Sequence, residues 1–383
     1  MNKTSTSVSL ALAYSVGSVL FSAHAGGGFA TGNQANTYYV GLGWLGPLAA
    51  VIAMLLLTLT MREAMILYNS RHLKSYKELF ETLFHPFDRI ELLFELFFYI
   101  MILMAVAAAI SGAATALKSY IGLDYYVGII LVGCIVLAFT IFGAALVRKA
   151  MTYMGVAILA SAIIIYAVGI LKGPVSIGTV ISADLAENGF SQLPKCIMNA
   201  FQYAGFQCVT LPTMIACGVV MTNRKGCAAS MWISFAMNTM ALVLSVLMLL
   251  CWRGYYTSVE GGTSIPTLTS CREMGITLLT VVYAICLLVC LVSTGVTTTF
   301  GFVARFEKLP FLQKIKSATV RSAVVSAFII ALSVSISVMG LTNIIKYGYG
   351  YCGYLGILVV VIPFLTVGVY KNRKYIAEHG EEF

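Results

Sequence analysis

Apolar residues recur in runs of about 20 residues along the whole chain, and short polar segments separate the runs. A helix of that length crosses the roughly 30 Å hydrocarbon layer of a bilayer and satisfies its own backbone groups in lipid. Runs such as 51–59 and 357–367 lack the alternation of a strand. The pattern therefore predicts an all-α polytopic membrane protein of about ten transmembrane helices. The predicted spans cover residues 8–34, 41–67, 90–118, 124–147, 150–171, 194–222, 227–252, 274–305, 320–342 and 351–370.

The composition supports this class. Of the 383 residues, 60% are hydrophobic and only 10% are charged, and the mean hydropathy is +0.91. Such a chain has too few polar side chains to cover a soluble globule, so we expect the lipid bilayer to be its main partner. The net charge is +9, but the basic residues form no patch with interleaved aromatic residues, so no nucleic-acid partner is predicted.

The basic residues also predict the orientation. With the N-terminus in the cytoplasm, 18 of the 24 Lys and Arg residues lie on the cytoplasmic side, as the positive-inside rule requires. The other six are Lys118, Lys172, Lys195, Arg253, Arg272 and Lys346. We therefore expect a multi-pass protein of the cell membrane with both termini cytoplasmic. The alternative, a secretory signal cleaved at the A-x-A sequence of residues 23–25, would leave nine spans and invert the charge pattern.

The ten predicted spans divide into two halves of five, residues 1–180 and 181–383. Because five is odd, the second half enters the membrane in the opposite orientation, which predicts an inverted repeat. The first span of each half is interrupted, by three glycines within residues 22–29 and by Pro212 within residues 203–212. Consecutive glycines and an internal proline both destabilise a helix. Paired interruptions predict broken helices 1 and 6 that face each other around a solute site near the midplane.

Predicted span eight is the richest in hydroxyl groups. Its residues Cys290, Ser293, Thr294, Thr297 and Thr298 lie three or four positions apart and so share a helix face. Two interpretations remain open. The hydroxyls could bond to carbonyls one turn earlier, or those of Ser293 and Thr294 could join carbonyls freed by the break in span one and bind a small cation.

Ionisable residues are nearly absent from the predicted membrane interior, which leaves no carboxylate relay. His24, beside the glycines, is the exception, and either bonds a neighbouring carbonyl or titrates during transport. The four histidines give no H-E-x-x-H motif, and the chain has no G-x-S-x-G or P-loop, so we expect no enzyme activity and no organic cofactor.

Ten cysteines lie mostly inside apolar runs, where a cysteine acts as a small apolar residue. Cys251 and Cys271 flank one predicted outer loop. They are either free thiols or a disulfide in an oxidising exterior.

Four segments resemble one transporter family. Gly26 to Gln34, G-G-G-F-A-T-G-N-Q, resembles the G-A-G-F-A-S/T-G-x-E/Q signature of the YkvI-like amino-acid permeases of the amino acid-polyamine-cation superfamily. Residues 41–63 resemble that family's second span, residues 203–207 its Y-x-x-x-N stretch, and residues 293–294 its T-T pair. The resemblance implies a LeuT-like five-plus-five fold, a substrate between spans one, three, six and eight, and in many relatives a sodium ion between spans one and eight. Gly27, Gln34 and Gln207 depart from the family's usual residues.

Together these observations predict a secondary active symporter for an amino acid or similar small zwitterion, coupled to sodium or alternatively to protons. The predicted substrate residues are Ala25, Gly26, Gly27, Gly28, Phe29, Ser111, Gly112, Tyr203, Gly205, Phe206 and Gln207. The predicted sodium ligands are Ser22, Ala25, Cys290, Ser293 and Thr294, and His24 is the proton-linked candidate. The alternative function is a non-transporting, ligand-sensing receptor subunit of the same fold, of the kind that acts in spore germination. The oligomeric state stays open.

Overall fold

The fold is described from a computed structural model, which describes residues 9–142, 160–306 and 312–383. Four residues predicted to be cytoplasmic, Lys3, Arg148, Lys149 and Lys308, lie outside the described residues. The end of predicted span four and the beginning of span five lie outside them as well.

Helices make up nearly all of the described chain. In order they are α1 (Leu10–His24), α2 (Gly27–Ala30), α3 (Asn33–Tyr38), α4 (Leu45–Ser70), α5 (Tyr76–Phe84), α6 (Glu91–Ile121), α7 (Tyr125–Phe142), α8 (Ala160–Leu171), α9 (Ile177–Asn188), α10 (Leu193–Gln207), α11 (Leu211–Gly218), α12 (Arg224–Ser258), α13 (Pro266–Glu273), α14 (Thr277–Phe306), α15 (Ala318–Ser337) and α16 (Leu341–His379). Short π-helical turns interrupt α16.

Within the described ranges, seven helical stretches are long and apolar enough to cross a membrane. They are α4, Asp88–Ile121 around α6, α7, α12, Thr277–Val303 of α14, α15 and α16. Helices α1 and α8 are apolar but shorter. The chain is thus an all-helical multi-pass membrane protein, as its hydropathy predicts. The count of ten spans and the inverted repeat stay predictions.

Predicted span one is divided into α1, α2 and α3. Helix α1 begins at Ser9, whose side chain accepts the Leu12 N–H, and ends at His24. Gly26 is extended, with ψ −176°, so helical bonding stops at Ala25 and Gly26, inside the predicted stretch 22–29. Gly32 adopts φ +79°, a left-handed conformation that favours glycine, and separates α2 from α3. The break is shorter than predicted, because residues 27–30 are helical.

The predicted break in span six is wrong. Helix α10 continues through Gln207, one 3₁₀ turn follows at Cys208–Thr210, and α11 begins at Leu211. Pro212 lies in the first turn of α11, where a helix does not need the missing N–H, so proline is tolerated there. Span six therefore changes helix type without unwinding.

Packing places the break in span one near the centre of the bundle. Helix α1 packs along α12, and α2 contacts both α6 and α14. Helix α10 lies between α4 and α16. Two long helices therefore flank the broken segment on one side, and α10 with its 3₁₀ turn approaches it from another.

Cys251 and Cys271 are buried free thiols. The Cys271 Sγ lies 3.4 Å from the Thr280 hydroxyl, and burial raises the pKa of the Cys271 thiol. A thiol with a raised pKa forms less of the reactive thiolate, so the structure agrees with the free-thiol alternative.

Candidate functional site

A cavity of about 400 Å³ lies beside the break between α1 and α2. Its walls come from α1, α2, Gln34 of α3, residues 98–109 of α6, the α10–α11 junction, residues 294–301 of α14 and Tyr349 of α16. The volume is within the usual range for small-molecule sites. Among the described residues, no Asp, Glu, Lys or Arg lines the cavity. The lining instead offers backbone groups, hydroxyls, two side-chain amides and one imidazole.

About half of the residues predicted to form the two sites line this cavity. They are Ser22, His24, Gly26, Gly27, Gly28, Phe206, Gln207 and Thr294. Helix α2 makes its first helical bonds with the N–H groups of Phe29 and Ala30, both to the Gly26 carbonyl. The N–H groups of Gly26, Gly27 and Gly28 come before these first bonds, so they do not donate within α2.

The predicted floor in span three lies elsewhere. Ser111 is fully buried and its hydroxyl bonds the Tyr125 hydroxyl of α7 at 2.6 Å. A Cβ on Gly112 would lie 2.9 Å from the Leu291 side chain of α14. Both residues belong to helix packing, and Ala105 and Ala109 of α6 line the cavity instead.

Gly205 also lies outside the lining. A Cβ at this position would lie 2.2 Å from the Gly353 carbonyl oxygen and 3.0 Å from the Ile357 nitrogen, both in α16. A Cβ at Gly356 would lie 2.2 Å from the Gly205 carbonyl oxygen. Glycine is therefore needed here because two helix backbones touch, and not because a substrate approaches.

Buried polar side chains in and behind the cavity wall form a chain of hydrogen bonds. The imidazole of His24 lies 2.6 Å from Asn238 Oδ1 through Nδ1 and 2.7 Å from the Tyr203 hydroxyl through Nε2. The Tyr203 hydroxyl donates to Gln34 Oε1 at 2.9 Å, and Gln207 Nε2 approaches the same oxygen at 3.4 Å. Tyr203 and Phe29 are buried outside the lining, and the Phe29 ring packs 5.1 Å from that of His24.

The predicted cation ligands lie next to each other only in part. The Cys290 thiol is 3.6 Å from the Ala25 carbonyl oxygen, and Thr294 borders both Gly26 and the cavity. Ser293 donates to the Cys290 carbonyl at 2.9 Å, one turn back along α14. The structure thus favours backbone bonding for Ser293 and leaves Thr294 as the predicted hydroxyl ligand that lines the cavity. In the described part of the chain, no three His, Cys, Asp or Glu residues cluster as metal ligands would.

The cavity lies towards one end of the bundle. Its wall residues Phe98 to Ala109 lie in the first two thirds of α6, and Thr294 to Gly301 lie in the second half of α14. These parts of the two helices are towards the side predicted to be cytoplasmic. At the other end, Asn33 Nδ2 donates to the carbonyls of Thr263 and Ser264 and to the Thr342 hydroxyl. The loop before α13 is therefore tied to α3, whose Gln34 lines the cavity, and to α16.

Sequence reasoning missed the two amides that complete the network. Gln34 was noticed only as a departure from a motif, although it lines the cavity. Asn238 and Ser234 lie one turn apart in the apolar run of α12, and both are buried. That spacing was the available signal, since polar residues inside a span usually face other protein groups.

No protein-family model and no curated protein matches the chain. Membership of the YkvI-like family therefore stays a prediction. Among solved structures, the chain is similar to two transporters of the LeuT fold.

One is a Na⁺-coupled sialic acid symporter in a substrate-bound outward-open state, with 13% sequence identity and a TM-score of 0.62. The match covers 94% of this chain and 90% of that chain. The other is the manganese transporter of Eremococcus coleocola, with 14% identity and a TM-score of 0.56, and the match covers 96% of this chain and 87% of that chain. At this identity the likeness shows the fold alone. The chain has a LeuT-like fold.

Proposed function

We propose that this chain is a secondary active transporter of an amino acid or similar small zwitterion. The observation that carries the proposal is the cavity at the α1–α2 break, which combines the glycine backbone of residues 26–28 with polar but uncharged side chains. A broken helix beside a cavity is typical of transporter substrate sites. The membrane topology and the shared fold with known transporters support the same function.

In this proposal the N–H groups of Gly26, Gly27 and Gly28 bind the substrate's carboxylate. The Gln207 amide and the carbonyls at the break accept the ammonium group. Phe206 and Tyr349, whose rings pack 5.1 Å apart, bound the space left for a side chain. A neutral set of donors and acceptors suits a solute whose own charges cancel, because it leaves no net buried charge.

Cation coupling is part of the proposal, with sodium as the first candidate and the proton as the alternative. The Ser22 and Ala25 carbonyls, with the Thr294 hydroxyl, are neutral oxygen ligands of the type that a small cation accepts. Cys290 and Ser293 complete the predicted set. His24 is the group that would carry a proton.

We further propose that the chain consists of two inverted repeats, residues 1–180 and 181–383, with both termini in the cytoplasm. An impermeant thiol reagent applied to intact cells should label a Ser258→Cys variant and miss a Lys74→Cys variant, since both positions are at the ends of polar connections. Labelling of Lys74→Cys alone would invert the proposed orientation.

The experiment that tests transport is uptake into proteoliposomes of a panel of radiolabelled L-amino acids. Each is measured with an imposed inward sodium gradient, an imposed proton gradient, and neither. We expect accumulation of at least one amino acid under one gradient. A sensor of the alternative class would bind an amino acid in detergent without accumulating it in vesicles.

A further inference from the structure

Three arginines from three helices line one small cleft at the end of the bundle predicted to be cytoplasmic. Arg62 belongs to α4, Arg224 begins α12, and Arg373 lies near the end of α16. The other lining residues are Glu63, Ile66, Val369, Asn372 and Ile376. None of these residues lines the cavity at the α1–α2 break, so the cleft is a separate feature.

The buried Glu63 carboxylate holds Arg62 in position. Glu63 Oε1 accepts hydrogen bonds from Arg62 Nε at 2.9 Å and from Arg62 Nη2 at 2.6 Å, and Oε2 accepts one from Asn372 Nδ2 at 2.9 Å. Both carboxylate oxygens are thus bonded. Arg62 Nη1 has no acceptor in the described part of the chain. Arg62 therefore keeps a free pair of N–H donors while it lines the cleft.

The other two arginines are held more loosely. Arg373 is exposed and forms no hydrogen bond or ion pair within the ranges that the structure describes. Arg224 Nη1 lies 3.5 Å from Glu381 Oε1, and both side chains are 46% exposed. Water competes for both charges of such an exposed pair, so it contributes little to stability. Another anion can therefore replace Glu381 at Arg224.

Glu381 reaches Arg224 because the four residues after α16 fold back on the start of α12. Gly380 adopts φ +92°, which favours glycine, and turns the chain. The Arg224 N–H then donates to the Glu381 carbonyl at 3.0 Å, and the Phe383 N–H donates to the Thr222 carbonyl at 2.8 Å. These backbone bonds place the Glu381 carboxylate at the edge of the cleft.

The charges of the lining make the cleft suitable for an anion. Three guanidinium groups and the single Glu63 carboxylate line it, which leaves two positive charges before Glu381 is counted. The positive-inside rule explains why arginines lie on this side of the membrane, but not why three helices bring them to one cleft. Guanidinium groups bind phosphate through paired hydrogen bonds, and basic pockets between membrane helices on the cytoplasmic side bind lipid headgroups.

The depth and the size of the cleft indicate the ligand. Tyr370 lies one turn before Arg373 in α16, and its side chain is 67% exposed. Residues three apart share a helix face, and exposed tyrosines are typical of the membrane–water interface. The cleft has a volume of about 30 Å³, enough for about two water-sized oxygen atoms. That space suits the oxygens of a headgroup phosphate and is too small for an amino acid.

We propose that Arg62, Arg224 and Arg373 bind a phosphate group at the cytoplasmic membrane surface, from an anionic lipid or from inorganic phosphate. The phosphate oxygens replace the Glu381 carboxylate at Arg224 and accept the free N–H donors of Arg62 and Arg373. Glu63 stays bonded to Arg62 and positions it. Binding at this cleft requires no transport, so its test is independent of the transport function proposed above.

The test measures ligand binding to the detergent-solubilised full chain. The rise in melting temperature with added ligand gives an apparent dissociation constant, because a ligand that binds only the folded protein stabilises it. The lipid probe is dioctanoyl phosphatidylglycerol, and dioctanoyl phosphatidylcholine, whose headgroup has no net charge, is its control. The soluble probe is sodium phosphate, with sodium chloride at equal ionic strength as its control. We expect at least one probe to raise the melting temperature at concentrations where its control does not.

Two charge-matched pairs of variants distinguish the cleft from general attraction of anions. Arg373→Gln should raise the dissociation constant about tenfold, because charge-assisted hydrogen bonds to phosphate are lost. Lys374→Gln, the adjacent position outside the cleft, should change it less than about twofold. Glu381→Gln should lower the constant about two- to fivefold, because its carboxylate no longer competes for Arg224, whereas Glu378→Gln should have little effect. All four side chains are exposed, so these variants should fold like the wild type.

The probe that shows this variant pattern identifies the ligand. Phosphatidylglycerol would indicate an anionic lipid, and sodium phosphate would indicate a soluble phosphate; either result supports the site. Equal effects within each pair of variants would mean that anions are attracted by the net charge alone, and would overturn the proposal. No response of the wild type to either probe would overturn it as well.

Discussion

The sequence predicts that Gly205 contacts the substrate, whereas the structure places it at a contact between α10 and α16. The Gly205→Ala variant distinguishes these two roles. The added Cβ would lie 2.2 Å from the Gly353 carbonyl oxygen and 3.0 Å from the Ile357 nitrogen. Carbon and oxygen need about 3.3 Å, so the two helices must separate by about 1 Å. Both obstacles are backbone atoms, and no side chain can rotate away to relieve the contact.

Overpacking of this kind costs about 1–3 kcal/mol. In detergent-solubilised protein we therefore expect the melting temperature of Gly205→Ala to fall by roughly 2–6 °C. The fraction that stays folded should transport with the wild-type KM, because Gly205 does not line the cavity. Gly254→Ala is the matched control, since a Cβ at this helical glycine meets nothing within 4 Å. We expect that variant to be neutral or more stable by up to about 1 kcal/mol.

One result would contradict the helix-contact role of Gly205. A Gly205→Ala protein with the wild-type melting temperature and a KM raised severalfold would place Gly205 in the substrate site. It would also mean that the contact between α10 and α16 is looser than the structure has it.

Two further predictions concern the ion and the loop before α13. Thr294→Ala should raise the sodium concentration for half-maximal uptake by about tenfold, because one ligand worth about 1.4 kcal/mol is lost, while Ser293→Ala should change it much less; equal effects would assign both hydroxyls to the ion. Asn33→Ala removes two hydrogen bonds to the loop before α13 and one to Thr342, so hydrogen–deuterium exchange in residues 259–265 should speed up. Unchanged exchange would mean that other contacts hold the loop.

The sequence predicts the membrane class and the position of the break in span one well, because both depend on local properties. High hydropathy over about 20 residues indicates a membrane span directly. Three consecutive glycines indicate a segment where a helix is unstable. The structure places the interruption at Ala25 and Gly26, and the cavity lies beside it.

The sequence fails where the role of a residue depends on its neighbours in space. Pro212 was interpreted as a helix breaker, yet it begins a helix, and only the preceding 3₁₀ turn makes that possible. Gly205 and Gly112 were assigned to the substrate, although both are small because another helix lies against them. Helix-contact glycines and substrate glycines look alike in a sequence, since each is selected for close approach.

The polar network was hidden for a related reason. Tyr203 was treated as an aromatic gate, but its hydroxyl joins His24 to Gln34 across 179 and 169 residues of sequence. No local sequence pattern predicts hydrogen bonds between residues so far apart in the chain. The buried Asn238 carried a signal only as a polar residue inside an apolar run.

Accumulation of a small zwitterion through the cavity at the α1–α2 break can be measured in proteoliposomes. The measured quantity is the ratio of internal to external amino acid under an imposed cation gradient, followed by an ionophore that collapses the gradient. We expect a ratio above one that returns to one after the ionophore. A ratio that stays at one under both sodium and proton gradients, while the same amino acids bind the purified protein, would contradict transport and identify the chain as a sensor.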